Sequence, residues 1–180
     1  MCEFDRSDKG SVDEPIRECL AVLNKHASFY TTSSCSGRIV LLDVPESGKK
    51  HEARFLLRCH DEVDPEDVKR CVAEASSEGL LWLRFQPAIL HLCARTIEDA
   101  QRFIDVVRPL GFKRCGIFSL KEERLMIEMI GPEELAVPIA DREQVWVEHG
   151  LLERFVAVAN AMMRRNKKRL EQVTAAVKQL

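Results

Sequence analysis

The string Thr31-Thr32-Ser33-Ser34-Cys35-Ser36-Gly37-Arg38 stands immediately before the apolar run Ile39-Val40-Leu41-Leu42. A polar loop of this kind can aim backbone N–H groups and hydroxyls at an anion, with the Arg38 guanidinium as a bidentate partner for a phosphate or carboxylate. The same composition also suits a Ser/Thr turn that satisfies only its own backbone. Cys35 could act as a nucleophile only beside a base, and none is near it in sequence, so a small filler residue is the simpler reading. Further on, Trp82 and Arg84 alternate with Leu81, Leu83 and Phe85. If Gln86-Pro87 is a two-residue turn, Trp82 lies opposite His91 on the next strand, although Pro fits poorly at the second turn position. Trp82 and Arg84 could then stack on a nucleic-acid base, with His91 as polar partner. The alternative is a Trp half-covered by a helix and a histidine bonded to backbone.

Other chemistries lack their residues. No Gly-x-Gly-x-x-Gly follows a strand, and Gly48-Lys49 lacks the upstream glycine of a phosphate-binding loop. The five histidines form no pair with ligand spacing, so no metal is expected. The seven cysteines are odd in number and include no Cys-x-x-Cys, which suits reduced core thiols and a cytoplasmic location. The chain is charged from its first residues and has no apolar run of the ~18 residues a membrane span needs, so neither a signal peptide nor a membrane is expected. With 180 residues, 46% hydrophobic and 31% charged, it reads as one domain over residues 1–180. The net charge of −2 hides an asymmetry. From Arg154 onward seven basic residues face one acid, Glu171, so the C-terminal segment could meet an anionic partner or simply form a solvated helix face.

Periodicity supplies the elements that must position these groups. Ile16, Cys19, Leu20, Leu23 and Ala27 mark a helix opened by a Ser11/Glu14 capping box. Strands are expected at 39–42, 55–59, 80–85, 88–94, 112–118 and 124–130. Pro65 opens a second helix, and a third runs from Thr96 to Val107 until Pro109 and Gly111 stop it. Residues 55–60 resemble 89–94, and each is followed by an acidic helix start, a glycine and another strand. Two strand–helix–strand units therefore build one mixed β-sheet with packed helices, an α+β fold. The last helix carries Leu152, Val156, Ala159, Met163, Asn166, Leu170, Val173, Val177 and Leu180 in steps of four and three, a seam that packs against the body or a second chain. Asn166 is its single polar member, a residue type that usually fixes register at some cost in stability.

Asp5-x-Ser7-x-Lys9-Gly10-Ser11-x-Asp13-Glu14-x-Ile16, Asn24 and the Thr31–Arg38 string resemble the N-terminal signature of the tRNA wybutosine-synthesising protein 3 family. Pro87-x-x-x-His91, Gly111-Phe112-Lys113, Pro138 and Ala159-Asn160 also fit, so the resemblance spans roughly residues 4–170. It implies a compact α+β fold that is not Rossmann-type. It implies a methyltransferase that uses S-adenosylmethionine. The substrate would be the tricyclic wyosine-type base at position 37, in the anticodon loop of phenylalanine tRNA, methylated at N-4. Other wybutosine-pathway enzymes would be partners. The signature falls on Ser7, Lys9, Asp13, Ser34, Ser36, Arg38 and His91. Ser34, Ser36, Gly37 and Arg38 are the expected cofactor or phosphate contacts. Ser7, Lys9, Trp82 and Arg84 are the expected substrate contacts. His91 is the expected proton acceptor, with Asp13 second, although Asp13 equally suits a helix-cap acid. The competing reading is a non-catalytic tRNA-binding module or adaptor.

Overall fold

Capping side chains set two of the helix starts in the computed structural model, which describes residues 4–5, 12–49, 51–75, 77, 79–121 and 124–180. Helix α1 (Glu14–Lys25) follows Asp13, with Pro15 in its first turn, where a missing N–H costs nothing. Helix α2 (Pro65–Glu74) follows Asp64, whose carboxylate accepts the Glu66 N–H, and α3 (Ile97–Val107) follows Thr96, whose hydroxyl accepts the Asp99 N–H. A 3-10 turn over Arg108–Leu110 ends α3. It closes on Gly111 at φ +101°, a left-handed conformation that glycine adopts without a Cβ clash. The capping-box residue Ser11 lies outside the described residues.

The expected α+β class holds, but the strands divide between two sheets and not one. They belong to two compact units, residues 1–9, 38–86 and 134–164 in the first and 10–37, 87–133 and 165–180 in the second. The first unit contains β1 (Phe4–Asp5), β3 (Arg38–Pro45), β4 (Arg54–Cys59), β5 (Gly79–Gln86) and β9 (Leu135–Ala140), in the order β1-β4-β3-β5-β9. All its pairs are antiparallel except β1–β4. The second unit contains β2 (Phe29–Cys35), β6 (Ile89–Ala94), β7 (Arg114–Lys121) and β8 (Arg124–Ile130), antiparallel throughout in the order β2-β6-β8-β7.

The internal repeat survives in a different form. In β4-α2-β5 the two strands flank β3, and in β6-α3-β7 they flank β8. Each repeat is thus a strand–helix–strand unit split by one antiparallel strand, and each sheet holds one copy. Alternation decides the buried faces. In the first unit Ile39, Leu41, Leu57, Leu83 and Phe85 pack under α2. In the second Leu90, Leu92, Ile127 and Met129 pack under α1 and α3. Each apolar face is removed from water at roughly 25 cal/mol per Å².

Three local expectations are corrected. The Thr31–Arg38 string is not a loop, because residues through Cys35 form β2, an edge strand paired with β6 on which β-branched and hydroxylated residues are tolerated. β5 and β6 are not a hairpin, and Trp82 is not opposite His91. Trp82 pairs with Leu42 and Pro138, and His91 with Glu128. Pro at the second position of a two-residue turn opposes that hairpin, and both edges of each strand are taken by other partners. Strand β9 was not expected, since Pro138 interrupts its apolar run. As an edge strand it can hold a proline whose missing N–H breaks no ladder bond.

Helix α4 (His149–Val177) is continuous and buries its seam as the spacing requires. Leu152, Val156, Ala159 and Met163 belong to the first unit's core, and Leu170, Val173 and Val177 to the second's. No described helix is long and apolar enough to cross a membrane. Arg164, Arg165 and Arg169 of α4 are paired with carboxylates. Arg164 pairs with Glu62, and Arg165 and Arg169 both pair with Glu133, with Arg165 Nε 2.8 Å from its carboxylate. The hydrogen bond from Arg165 leads in holding the Glu133 carboxyl below the ordinary carboxylate range. A lowered folded-state value means stability that is present above the unfolded carboxylate range and lost as pH falls through the folded value. Glu133→Gln should therefore cost about 1–2 kcal/mol at neutral pH and nearly nothing in strong acid. Urea unfolding at the two pH values checks this, and an equal loss at both would contradict it.

Candidate active site

Two irregularities in the second unit's sheet converge on one histidine. Between Thr31 and Ser34 the β2–β6 register slips, with Thr31 opposite Leu92 and Ser34 opposite Leu90. Thr32 and Ser33 therefore both oppose His91, and the bulge turns the Ser33 side chain to the imidazole. Ser33 Oγ lies 2.8 Å from His91 Nδ1, while Thr32 Oγ1 donates to the His91 carbonyl at 3.3 Å. On the other side Glu128 sits directly opposite His91 in β8, its Oε2 2.8 Å from Nε2. An ionised carboxylate only accepts, so Nε2 carries the proton and Nδ1 presents its lone pair to the Ser33 hydroxyl. The second slip, between Ile117 and Ser119 on β7, leaves Phe118 unpaired, its ring centroid 5.2 Å from that of His91. The His91 side chain keeps 23% of its surface exposed. It is a half-buried imidazole with a fixed tautomer and a serine hydroxyl on its basic nitrogen.

Behind β2, the Ser36-Gly37 corner is braced from several sides. Ser36 is 1% exposed; its N–H donates to Asp13 Oδ2 at 2.8 Å, and its carbonyl accepts from Asn166 Nδ2 at 2.7 Å. Asn166 Oδ1 accepts the Ala88 N–H at 2.9 Å. Gly37 turns the chain at φ +95°. Asp13 occupies the N-cap position of α1 without making a side-chain cap bond, since its carboxylate serves Ser36. Ser34 shares the face of Leu90, and its enclosed Oγ has no hydrogen-bond partner within the chain. The family residues Asn24 and Asn160 are braces as well. Asn24 bonds the Thr31 N–H and hydroxyl, and Asn160 bonds both backbone groups of Val63.

Asp13, Ser34, Ser36, Gly37 and His91 all belong to the second unit, with Ser34 on the Leu90 face of its sheet and His91 on the opposite face, and Arg38, Trp82 and Arg84 belong to the first. Arg38 Nε donates to Gln86 Oε1 at 2.6 Å, and its guanidinium lies 5.1 Å from the Phe55 ring centroid, with that of Arg58 at 5.4 Å. Trp82 is half-buried in the middle of β5. Arg84 bonds Glu134 at 3.2 Å, and its enclosed Nε has no partner within the chain. Ser7 and Lys9 lie outside the described residues. Sequence reasoning did not single out Ser33 or Glu128, the two side chains that bond the His91 ring. Glu128 left one trace, a lone acid within the apolar run Leu125–Ile130. Burial pushes the Cys19 thiol up to about 11 and that of Cys115 to about 12, which makes both inert.

Two largely antiparallel sheets exclude the mostly parallel, doubly wound dinucleotide fold. What remains is a small α+β protein with a half-buried histidine held between a serine hydroxyl and a carboxylate. Residues 1–179 match the family model described as Methyltransferase TYW3, and the chain belongs to this methyltransferase family. It is 35% identical to a Thermococcus kodakarensis protein named tRNA(Phe) 7-((3-amino-3-carboxypropyl)-4-demethylwyosine(37)-N(4))-methyltransferase 1, covering 96% of this chain and 87% of that one. It is 37% identical to the tRNA wybutosine-synthesizing protein 3 homolog of Mus musculus, over 94% of this chain and 66% of that one. The solved structure of the PH1069 protein from Pyrococcus horikoshii superposes with a TM-score of 0.88 at 34% identity, over 94% of this chain and 87% of that one.

Proposed function

We propose that this protein methylates N-4 of the tricyclic wyosine-type base at position 37 of phenylalanine tRNA, with S-adenosylmethionine as donor. Family membership and the names of relatives such as the Thermococcus kodakarensis methyltransferase support the reaction. The observation that carries the site is the Ser33–His91–Glu128 array, a proton acceptor with an oriented ring.

When bound, S-adenosylmethionine supplies an electrophilic methyl on a sulfonium whose departure as a thioether needs no acid. The orphaned Ser34 hydroxyl and the Gly37 corner fit such a group, and Ser36 and Asp13 keep that corner in shape. Arg38, oriented by Gln86 and Phe55, is the partner for an anionic group of the cofactor or substrate. Trp82 and Arg84 are tRNA contacts, as are Ser7 and Lys9. The attacking nitrogen loses its proton to His91 Nδ1, directly or through the Ser33 hydroxyl, and Glu128 stabilises the resulting imidazolium. Asp13 ranks behind His91 because its carboxylate is committed to Ser36. The rest of the catalysis is alignment of methyl and nitrogen, which an in-line displacement rewards. The protein works in the cytoplasm without a metal, beside other enzymes of wybutosine synthesis.

Calorimetry with the demethylated cofactor product, in the absence of RNA, tests this reading. An enzyme binds that product and transfers one methyl to tRNA bearing the demethylated base. A protein that binds the tRNA, ignores the cofactor product and transfers nothing would instead be an adaptor.

A further inference from the structure

The second unit's helices cover one face of its sheet, and every buried strand residue in that core belongs to the same face. The opposite face carries Tyr30, His91, Glu128, Gly116 and the bulged Phe118. Tyr30 is 48% exposed and Phe118 56% exposed, on the two edge strands and on either side of β6. Gly116 stands opposite Glu128, and a Cβ added there would meet nothing within 4 Å. An antiparallel four-stranded sheet with helices behind and aromatic rings in front is the arrangement by which single-stranded RNA is often bound, each ring stacking on an unpaired base.

We infer that this open face is the seat of the target base, with Phe118 and Tyr30 as its stacking surfaces and the gap at Gly116 as room beside Glu128. The inference rests on the proposed role of His91 and extends it, because the same bulges that turn Ser33 and Phe118 to the imidazole build the acceptor and the platform together. The ligand is a flat tricyclic base drawn out of a single-stranded loop. Its three rings offer more stacking area than a guanine, so the platform selects substrate from the unmodified tRNA.

Fluorescence anisotropy on the full chain tests this, using phenylalanine tRNA with the demethylated tricyclic base and the same tRNA with guanine at that position. Wild-type protein should prefer the tricyclic form. Phe118→Ala should weaken binding of that form about 5–150-fold, the usual worth of one stacked base, and change the guanine form little. Phe118→Trp should restore the preference, and Tyr30→Ala should reduce it by a second route if Phe118→Ala does not fold. Alanine variants at both positions that keep the wild-type preference would overturn the platform. So would a loss in kcat with unchanged affinity, which would assign Phe118 to orienting His91 alone. Wild-type protein that methylates neither tRNA would overturn the proposed function instead, a result separate from the binding preference.

Discussion

His91→Asn should lower single-turnover methylation about 10²–10⁴-fold, the usual worth of a positioned base, with cofactor binding intact. Asparagine keeps a polar group beside Ser33 and Glu128 but cannot take up the proton. Glu128→Gln separates the ring's orientation from its presence. A carboxamide can donate to Nε2, which favours the tautomer with the proton on Nδ1, and a comparable loss of about 10²–10⁴-fold is expected. Single-turnover rates measure both. If His91→Asn keeps the rate, the histidine only orients the base.

The second large effect is on stability, and its sign separates two accounts of Asn166. An asparagine that only selects register on a helix seam is a cost, and Asn166→Leu would then stabilise the protein. Here Asn166 is 4% exposed and holds both the Ser36 carbonyl and the Ala88 N–H. Leucine removes both bonds and leaves two backbone groups buried without partners, at about 1–3 kcal/mol each. Asn166→Leu should thus destabilise by about 2–6 kcal/mol, read as a lower urea midpoint at unchanged slope. It should also weaken binding of the cofactor product, since the Ser36-Gly37 corner loses its support. A stabilised variant would return Asn166 to the register role.

Helices were the most legible part of this chain. Of the stripe Ile16, Cys19, Leu20, Leu23 and Ala27 all but Ala27, which lies past the end of α1, are buried, and every seam residue of α4 from Leu152 to Val177 is buried too. A helix writes its buried face into neighbouring residues, so the three-and-four spacing is sufficient to read it. The chemistry of the Thr31–Arg38 string and the prominence of His91 were equally local, as was the two-copy strand–helix–strand pattern. Pairing was not local. Ser33 and Glu128 reach His91 from 58 and 37 residues away, and only the β2–β6 bulge decides that Ser33 faces the ring. The positive charge of α4 was countable in the sequence, yet Arg164, Arg165 and Arg169 are answered by Glu62 and Glu133, from 102, 32 and 36 residues away. Alternation states which side chains share a face of a strand but not which strand lies alongside. That choice belongs to the packing of each sheet, and with it came the hydroxyl and the carboxylate that hold the His91 ring.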